Sequence, residues 1–336
     1  MKKILLLLGI VSFLFSCNNN SAPDVSGIKV DASIARFEAD FFAIDTSKTI
    51  LSVERMERKH PYFFKDFLEN IVLGGVKDTT LDLAQAINAY YKVTQPLNDS
   101  VKKVLTNMAA LSGELKQGYQ YIQYYFPEYK LPKPVTYVGL IGDPSVALTQ
   151  DAMAIGLQMY LGKNFSAYNT PEAQQFYPQY ISRRFEQEYI AANCFQNLVQ
   201  DIYPGQQQRN TLLALMVEKG KQWYLLDKIM PEAADSLKTG YTAAQLKWCN
   251  QNEAMIWNFL MQVADIYTTE PAIIQNFIGE APKTDGMPDA SPGNIGQWIG
   301  WQIVKSYAAK NTQLDLKQTL QVEPRKMFEE SGYKPR

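Results

Sequence analysis

VTYVGLI at residues 135–141 and IGLQMYL at residues 155–161 decide the fold class of this 336-residue chain. The first run is rich in β-branched and aromatic residues, and in the second apolar residues alternate with smaller or more polar ones, so both predict β-strands. A GDPS turn at 142–145 lies between them. The other long segments have helical periodicity. We therefore predict a mostly helical α+β fold with a small central sheet and packed helices.

Helical periodicity and capping residues place the predicted helices on both sides of the strands. The Asn-Asp-Ser run at 98–100 is typical of an N-cap and precedes one apolar stripe. Thr242 with Gln245 forms a capping-box pattern, and a further strand is predicted over 28–34. Since no repeat is visible, we predict a single helix-rich domain over 28–336. The predicted helices cover 81–91, 101–115, 180–202, 209–229, 242–260, 295–308 and 324–330.

The amino terminus has the parts of a bacterial lipoprotein leader. Two lysines precede an apolar stretch of 12 residues, 4–15, which is too short to span a bilayer. A serine and Cys17 follow, as in a lipobox. We predict a signal peptide over 1–16, acylation of Cys17 by fatty acids such as palmitate, and a flexible lipidated tether over 17–27. The alternative is an ordinary secretory leader in which Cys17 has no such role.

Charge and hydropathy restrict the partners of the chain. Without the two leader lysines, 31 basic residues stand against 34 acidic ones, which gives no basic footprint for nucleic acid. No later stretch approaches the roughly 20 apolar residues of a transmembrane helix. We therefore predict that the lipid on Cys17 holds the protein at the membrane. Since Asn18 is not the aspartate that retains some bacterial lipoproteins in the inner membrane, we expect the outer membrane, facing the periplasm.

His60 is the single histidine, and this scarcity excludes most metal and triad chemistry. An HExxH zinc site needs two histidines on one helix face. A Ser-His-Asp triad could use only His60, which precedes Pro61 and which we expect at the surface or in a turn. We predict no cofactor, no metal and no enzymatic activity. Cys194 and Cys249 are expected as buried free thiols, with a disulfide between them as the alternative.

Several segments together resemble one known family. These are the leader with Cys17, the strand region 135–162, EKGKQWY at 218–224, PGNIGQWIGWQIV at 292–304 and the tail ESGYKP at 330–335. In their order and spacing over almost the whole chain, they resemble the gliding-motility-associated lipoprotein B family (GldB) of gliding gram-negative bacteria. The resemblance implies a membrane-anchored protein needed for gliding, without an established enzymatic activity. Its expected partners are envelope or gliding-machinery proteins.

A more distant resemblance is to the zincin-type core of predicted bacterial zinc proteases. The two central strands followed by helices look like that core, in which one helix carries HExxH and 18 residues lie between the second histidine and a ligand glutamate. With Glu218 in the place of that glutamate, the histidine positions fall on Phe195 and Val199, and the base position on Gln196. The resemblance implies a degenerate zincin-like core in which apolar groups and an amide replace the zinc ligands and the base.

Three functions remain open from the sequence. The first is a non-catalytic binding or assembly component of gliding, a pseudoenzyme confined to the membrane by its lipid. The second is an envelope hydrolase, acting on peptidoglycan or peptide, which needs two carboxylates across a cleft. The third is a module that binds cell-wall glycan through exposed, coplanar rings of the tyrosine-rich run 119–129. Gly296 and Gly300, one helical turn apart, are expected to let a helix pack closely rather than to bind a nucleotide.

Overall fold

The computed structural model describes residues 22–74, 82–205 and 211–335, so the predicted leader and Cys17 lie outside the described residues. The described ranges form four short strands and sixteen α-helices, which is the mostly helical α+β fold that the sequence predicts. The strands are β1 (Ala35–Arg36), β2 (Lys133–Tyr137), β3 (Val146–Leu148) and β4 (Ala152–Gly156).

The helices differ widely in length, and the longest, Leu83–Val104, has 22 residues. The α-helices are α1 (Phe37–Phe41), α2 (Thr49–Lys59), α3 (Phe64–Asp66), α4 (Leu83–Val104), α5 (Ala109–Tyr125), α6 (Pro171–Phe176), α7 (Gln179–Ser182), α8 (Ile190–Ile202), α9 (Leu212–Ile229), α10 (Asp235–Thr239), α11 (Ala243–Gln251), α12 (Glu253–Val263), α13 (Pro271–Ile278), α14 (Ile295–Lys310), α15 (Leu316–Gln321) and α16 (Pro324–Ser331). Short 3₁₀ helices cover Thr46–Lys48, Leu157–Met159, Ser166–Asn169 and Gln187–Tyr189, and a π-helix covers Phe67–Val72.

The four strands form one mixed sheet in the order β1-β2-β4-β3. Strands β1 and β4 pair with β2 in parallel, and Val135 lies opposite Ala35 on one side and Ala154 on the other. Strand β3 pairs antiparallel with β4 at the edge. Every residue of β4 is buried. This is the pattern of a strand covered on both faces, which carries a continuous apolar run rather than an alternation.

The predicted strand at 135–141 corresponds to β2, which begins and ends earlier, whereas the predicted strand at 155–161 overlaps β4 only at Ile155 and Gly156. Strand β4 ends at Gly156, and a 3₁₀ helix continues to Met159. The alternation in the sequence is misleading there, because residues 152–161 are all buried. The predicted strand at 28–34 is wrong, since these described residues form no ladder and β1 begins only at Ala35. Their burial still alternates, with buried Ala32 between two exposed neighbours.

The predicted helix start at 98–100 is also wrong, because α4 runs through it to Val104. Asn98 belongs to the buried face of α4, which continues at helical spacing from Ile87 to Val101. The real break follows Val104, and α5 begins at Ala109. A polar residue with N-cap character is here part of the buried stripe, and local propensity yields to packing. The Thr242 capping box, in contrast, is present at the start of α11.

Helix α9 connects two hydrophobic clusters. Its carboxyl-terminal residues Leu225, Leu226 and Ile229 pack in the cluster that surrounds the sheet. Its amino-terminal residues, among them Leu213 and Met216, pack in a second cluster with α12, α14 and α16. Since one continuous helix belongs to both clusters, its partly buried face has a fixed position relative to each of them.

Helices α9 and α14 approach each other so closely that their backbones touch. A Cβ on Gly220 would lie 2.2 Å from the carbonyl carbon of Gly300, and a Cβ on Gly300 would lie 1.7 Å from the carbonyl oxygen of Met216. A Cβ on Gly296 would lie 2.8 Å from the carbonyl oxygen of Phe277. Only glycine fits such contacts. The prediction that Gly296 and Gly300 let a helix pack closely is therefore confirmed.

The amino-terminal end of the described chain lies against α5. Val25 is buried, and Gln120 Nε2 of α5 donates hydrogen bonds to the carbonyl oxygens of Ser26, at 3.4 Å, and Ile28, at 2.9 Å. The predicted tether over 17–27 is described only from residue 22 onward. Among the residues that the structure describes, no helix is both long and apolar enough to cross a bilayer.

Candidate functional site

A polar cavity of about 210 Å³ lies between α8, α9 and the start of α14. We call it the amide cavity, because amide side chains from all three helices line it. The side chains that dominate its wall are Gln196 and Gln200 of α8, Lys219 and Gln222 of α9, and Asn294 and Gln297 at the start of α14. Since α9 and α14 touch through their backbones, two of these walls are held at a fixed separation.

Hydrogen bonds to the backbone orient the glutamines of the wall. Gln196 Nε2 donates to the carbonyl oxygen of Lys238 at 2.8 Å. Gln222 Nε2 donates to the carbonyl oxygen of Tyr203 at 3.2 Å, and Gln222 Oε1 accepts a hydrogen bond from Lys219 Nζ at 3.2 Å. These side chains are already ordered in the folded protein, so a ligand would not have to restrict their rotation when it binds. Such a preorganised wall lowers the entropic cost of binding.

One ion pair lies at the edge of the amide cavity. Arg184 Nη2 is 3.2 Å from Glu280 Oε2, and Nη1 is 3.4 Å from Oε1, so the pair is joined at two points. Gly240, with a φ of +71°, lies under the guanidinium, and a Cβ there would be 2.7 Å from Arg184 Nη1. Among the described residues, Glu280 is the one acid in the wall. The acidic group of the cavity is therefore already paired.

Lys219 carries the other charge in the wall. Its Nζ donates to an amide oxygen, and in the described parts of the chain no carboxylate lies within 4 Å of it. Burial lowers the pKa of the Lys219 ammonium from its usual 10.5, because partial removal of water penalises the charged form. The wall thus holds a partly desolvated cation whose nearest partner is neutral.

Asn294 has an unusual backbone and an unsatisfied side chain. Its φ is +43°, which no other described non-glycine residue shares. The residue is only 5% exposed, and its Oδ1 accepts no hydrogen bond from the residues that the structure describes. It occupies the N-cap position of α14 without capping the helix through its side chain. Buried amide oxygens are ordinarily paired, and strained residues cluster at sites that bind ligands.

The positions implied by the zincin resemblance do not all face this space. Gln196 and Val199 line the amide cavity. Phe195 is fully buried instead, and its ring packs on α5, where a Cβ on Gly118 would lie 2.0 Å from the ring edge. At Phe195 the implied ligand position is filled by core packing.

Glu218, the implied third ligand, belongs to a buried polar cluster rather than to the cavity wall. Its Oε1 lies 2.9 Å from Lys221 Nζ, and its Oε2 accepts a hydrogen bond from the Tyr203 hydroxyl at 2.6 Å. Lys221 Nζ also donates to the carbonyl oxygen of Val322 at 2.7 Å. This cluster ties α9 to the carboxyl-terminal helices, and its role is structural.

A register one residue later faces the amide cavity. Gln196 and Gln200 lie four residues apart on α8, and Lys219 follows after 18 further residues, with all three in the cavity wall. This is the spacing that the zincin resemblance assigns to its three ligands, now occupied by two amides and an ammonium. The polar run QNLVQ at 196–200 is the signal in the sequence for this polar wall. The zincin resemblance itself stays a prediction.

Asn294 and Lys219 are among the wall residues that sequence reasoning did not single out. No pattern along the chain marks a left-handed asparagine, because its conformation depends on how the loop before α14 meets α9. Arg184 comes from the charged run 183–188, which by itself is typical of a solvated helix face. Only the tertiary fold brings this run to the start of α14.

His60 is buried at the start of the turn after α2, so the expected turn position is confirmed and the expected surface position is wrong. The residue is 3% exposed, and its Nε2 lies 2.8 Å from Asp40 Oδ2. Its ring lies edge-on to Phe37, with the ring centroids 5.2 Å apart. The turn after α2 folds back onto the aromatic cluster around Phe37, and the carboxylate of Asp40 satisfies the imidazole.

Cys194 and Cys249 are both buried and unpaired, as predicted. Burial raises the pKa of both thiols, that of Cys249 to about 12, because an apolar environment penalises the thiolate. They lie in different hydrophobic clusters. In the described part of the chain, no group of three or more histidine, cysteine, aspartate or glutamate residues is placed to hold a metal ion.

The tyrosine-rich run 119–129 does not present a flat aromatic face. Tyr119 and Tyr121 are buried. The rings of Tyr124 and Tyr125 are nearly perpendicular, at 87°, and the Tyr129 hydroxyl donates to Asp201 Oδ2 at 2.6 Å. A glycan platform needs exposed and coplanar rings, so this run does not supply one.

Comparison with known proteins gives one match over nearly the whole chain. A family model described as "Gliding motility protein GldB" matches residues 18–335. No curated protein and no solved structure shows significant similarity to the chain. The match includes the helices that build the amide cavity and the α9–α14 contact.

Proposed function

The chain belongs to the gliding motility protein GldB family, and from this premise we propose that it acts in gliding as a lipid-anchored, non-catalytic binding or assembly component. Membership implies involvement in gliding motility. The binding role is supported by the amide cavity, whose wall is polar and preorganised and holds one ammonium, that of Lys219, without a carboxylate partner among the described residues. Confinement to a membrane raises the effective concentration of such a module near its partners, so weak contacts become sufficient.

The composition of the cavity wall favours binding over hydrolysis. A glycosidase of the two-carboxylate kind needs an acid and a second carboxylate on opposite sides of the scissile bond. In the described wall Glu280 is the single acid, and Arg184 already holds it at two points. Both oxygens of this carboxylate are hydrogen-bonded to the guanidinium, and in the described wall no second carboxylate lies opposite it.

The anchoring half of the proposal rests on Cys17, which lies outside the described residues. We expect acylated Cys17 to hold the protein on the periplasmic side of the outer membrane, near envelope proteins of the gliding machinery. Replacing Cys17 with Ala should move the protein from the membrane fraction to the soluble fraction and abolish gliding. Asn20→Ala is the matched control in the same segment. Membrane retention and normal gliding of the Cys17→Ala strain would exclude the proposed anchor.

The non-catalytic half is tested at Glu280. If the protein binds without catalysis, the purified wild type should release no soluble fragments from isolated cell wall. If it is a carboxylate-dependent hydrolase at this cavity, the wild type should release fragments and Glu280→Gln should not. Chromatography of the released material separates the two outcomes, and neither depends on the effect of Glu280→Gln on binding.

A further inference from the structure

The amino-terminal segment of the described chain joins the rest of the protein at a fixed point on α5. Val25 is buried, and Gln120 Nε2 donates hydrogen bonds to the carbonyl oxygens of Ser26, at 3.4 Å, and Ile28, at 2.9 Å. Any pull from the amino terminus is therefore applied to the protein at this point, which we call the entry point.

The entry point lies close to the expected lipid. Cys17 comes eight residues before Val25. A fully extended chain covers at most about 3.6 Å per residue, so these residues reach no further than about 29 Å. A globular chain of roughly 310 residues has a radius of gyration of about 20 Å and thus a diameter of about 50 Å. A lipid on Cys17 therefore holds the side with the entry point toward the bilayer and keeps the opposite side out of its reach.

Tyrosine rings lie at the surface beside the entry point. Tyr124 is one helical turn beyond Gln120 on the same side of α5, and it is 50% exposed. Its ring centroid is 4.9 Å from that of Tyr125, which is partly buried, as is Tyr224 of α9. Burial raises the pKa of Tyr125 to about 12, and the nearby hydroxyls of Tyr124 and Tyr224 contribute to this shift. We call Tyr124, Tyr125 and Tyr224 the tyrosine face.

Charges of both signs border the tyrosine face. Lys228 Nζ lies 5.0 Å from the centroid of the α9 ring, and Lys116 is exposed on α5. On the acidic side, burial raises the pKa of Tyr121, and the nearby carboxylates of Glu232 and Asp24 raise it further. This mixture is not the polybasic pattern of a surface that selects anionic lipids.

We propose that the tyrosine face lies on the bilayer surface, with its rings among zwitterionic lipid headgroups. Tyrosine suits this layer because its ring is apolar and its hydroxyl is polar. The adjacent entry point and the short reach to Cys17 favour the bilayer as the occupant over a protein partner. The contact rests on the proposed anchoring function and adds an orientation to it.

This orientation turns the amide cavity away from the membrane. Gln222 lines the cavity, and Tyr224 belongs to the tyrosine face. Two positions along an α-helix differ by about 200° in direction, so these two side chains point to nearly opposite sides of α9. The cavity then opens away from the bilayer, where partners in the aqueous compartment reach it.

The test is the membrane depth of a spin label at position 124. Full-length lipoprotein carrying Tyr124→Cys is labelled with a nitroxide and reconstituted into phosphatidylcholine vesicles. Cys194 and Cys249 are buried, so they do not compete for the label. Power saturation in electron paramagnetic resonance then measures how well a water-soluble nickel chelate reaches the label. We expect its access at position 124 to be at least about threefold lower than at a control position away from the tyrosine face.

Val263→Cys is the matched control, and Gln200→Cys reports on the cavity. Val263 is 51% exposed and ends α12, and Gln200 is an exposed residue of the cavity wall. Both labels should stay accessible to the chelate. Equal access at 124 and 263 would overturn the proposal, and so would a label at 200 as protected as the label at 124. Protection of position 124 only in vesicles with anionic phosphatidylglycerol would refute the zwitterionic contact.

Flotation of the same vesicles separates failure of the contact from failure of the anchor. Wild-type protein that floats with the vesicles, while the label at position 124 stays in water, refutes the tyrosine contact alone. Wild-type protein that does not float refutes the proposed anchor and the contact with it. The replaced side chains are at least half-exposed, so the labelled variants should keep the fold.

Discussion

The two sides of helix α9 differ in how completely they are filled. One side contacts α14 at Gly220 and holds Lys221 against Glu218 in a buried ion pair. The neighbouring side presents Lys219 and Gln222 to a cavity. Adjacent residues of one helix thus have opposite environments, closed at 218, 220 and 221 and open at 219 and 222. The contacts of the closed side fix the position of the helix. The open side can therefore carry the Lys219 ammonium, which no carboxylate of the described residues pairs, without loss of structure.

The largest effect should come from the closed side, at Lys221. This side chain is fully buried and donates to Glu218 and to the carbonyl oxygen of Val322. Lys221→Met removes the ammonium from a buried carboxylate and from that carbonyl group. We expect a loss of about 3–5 kcal/mol in the free energy of unfolding. Chemical denaturation, followed by circular dichroism, measures it.

Lys228→Met is the matched control on the same helix. Lys228 lies over the ring of Tyr224, with Nζ 5.0 Å from the ring centroid, and it is only partly buried. We expect a loss of no more than about 1 kcal/mol. If the two methionine variants lost equal stability, the closed side of α9 would not depend on its ion pair.

The second effect concerns the backbone contact. Gly300→Ala places a Cβ against the carbonyl oxygen of Met216, at 1.7 Å in the present geometry, so α9 and α14 must separate. We expect a loss of about 2–3 kcal/mol. Gly113→Ala in α5 is the opposite case, because nothing lies within 4 Å of its Cβ, and it should gain about 0.5–1 kcal/mol from helix propensity. A neutral Gly300→Ala variant, measured by thermal unfolding beside Gly113→Ala, would show that the contact is not tight.

The fold was predictable where a local pattern has a single physical cause. The capping box at Thr242 and Gln245 needs only local hydrogen bonds, and it is present. The close contact at Gly300 follows from glycine spacing on a helix. The strand at 28–34 was wrong because alternating burial also occurs in a segment without ladder bonds, and β3 was missed because three residues carry too short a pattern.

The site was predictable only in part. The zincin resemblance implied Gln196 and Val199, and both line the cavity. Lys219 was missed because the sequence offers Glu218 one position earlier, and which of the two faces the cavity depends on the rotation of α9. That rotation is set by Gly220 against α14. Asn294 could not be predicted, since its conformation arises where a loop meets two helices.

The smallest effect should come from the open side, and it should depend on pH. Burial lowers the pKa of Lys219 in the folded state below its usual 10.5, which it keeps in the unfolded state. Between the folded-state and the unfolded-state pKa, the unfolded protein therefore binds more protons than the folded protein. Stability of the wild type therefore rises with pH through that window. Glutamine does not titrate, so Lys219→Gln should be at least as stable as the wild type near neutral pH. Its relative advantage should shrink as the pH approaches 10.5, the usual value of the side chain.

Urea unfolding of the wild type, Lys219→Gln and Lys247→Gln at about pH 7 and about pH 10 measures this difference. Lys247 is exposed and controls for the general loss of one positive charge. A Lys219→Gln variant that is strongly destabilised near neutral pH would mean that the ammonium contributes to the fold, as Lys221 does. Lys219 and Lys221 would then both stabilise the fold and differ only in how much. The absence of a carboxylate partner at Lys219 would no longer distinguish the cavity wall from the closed side.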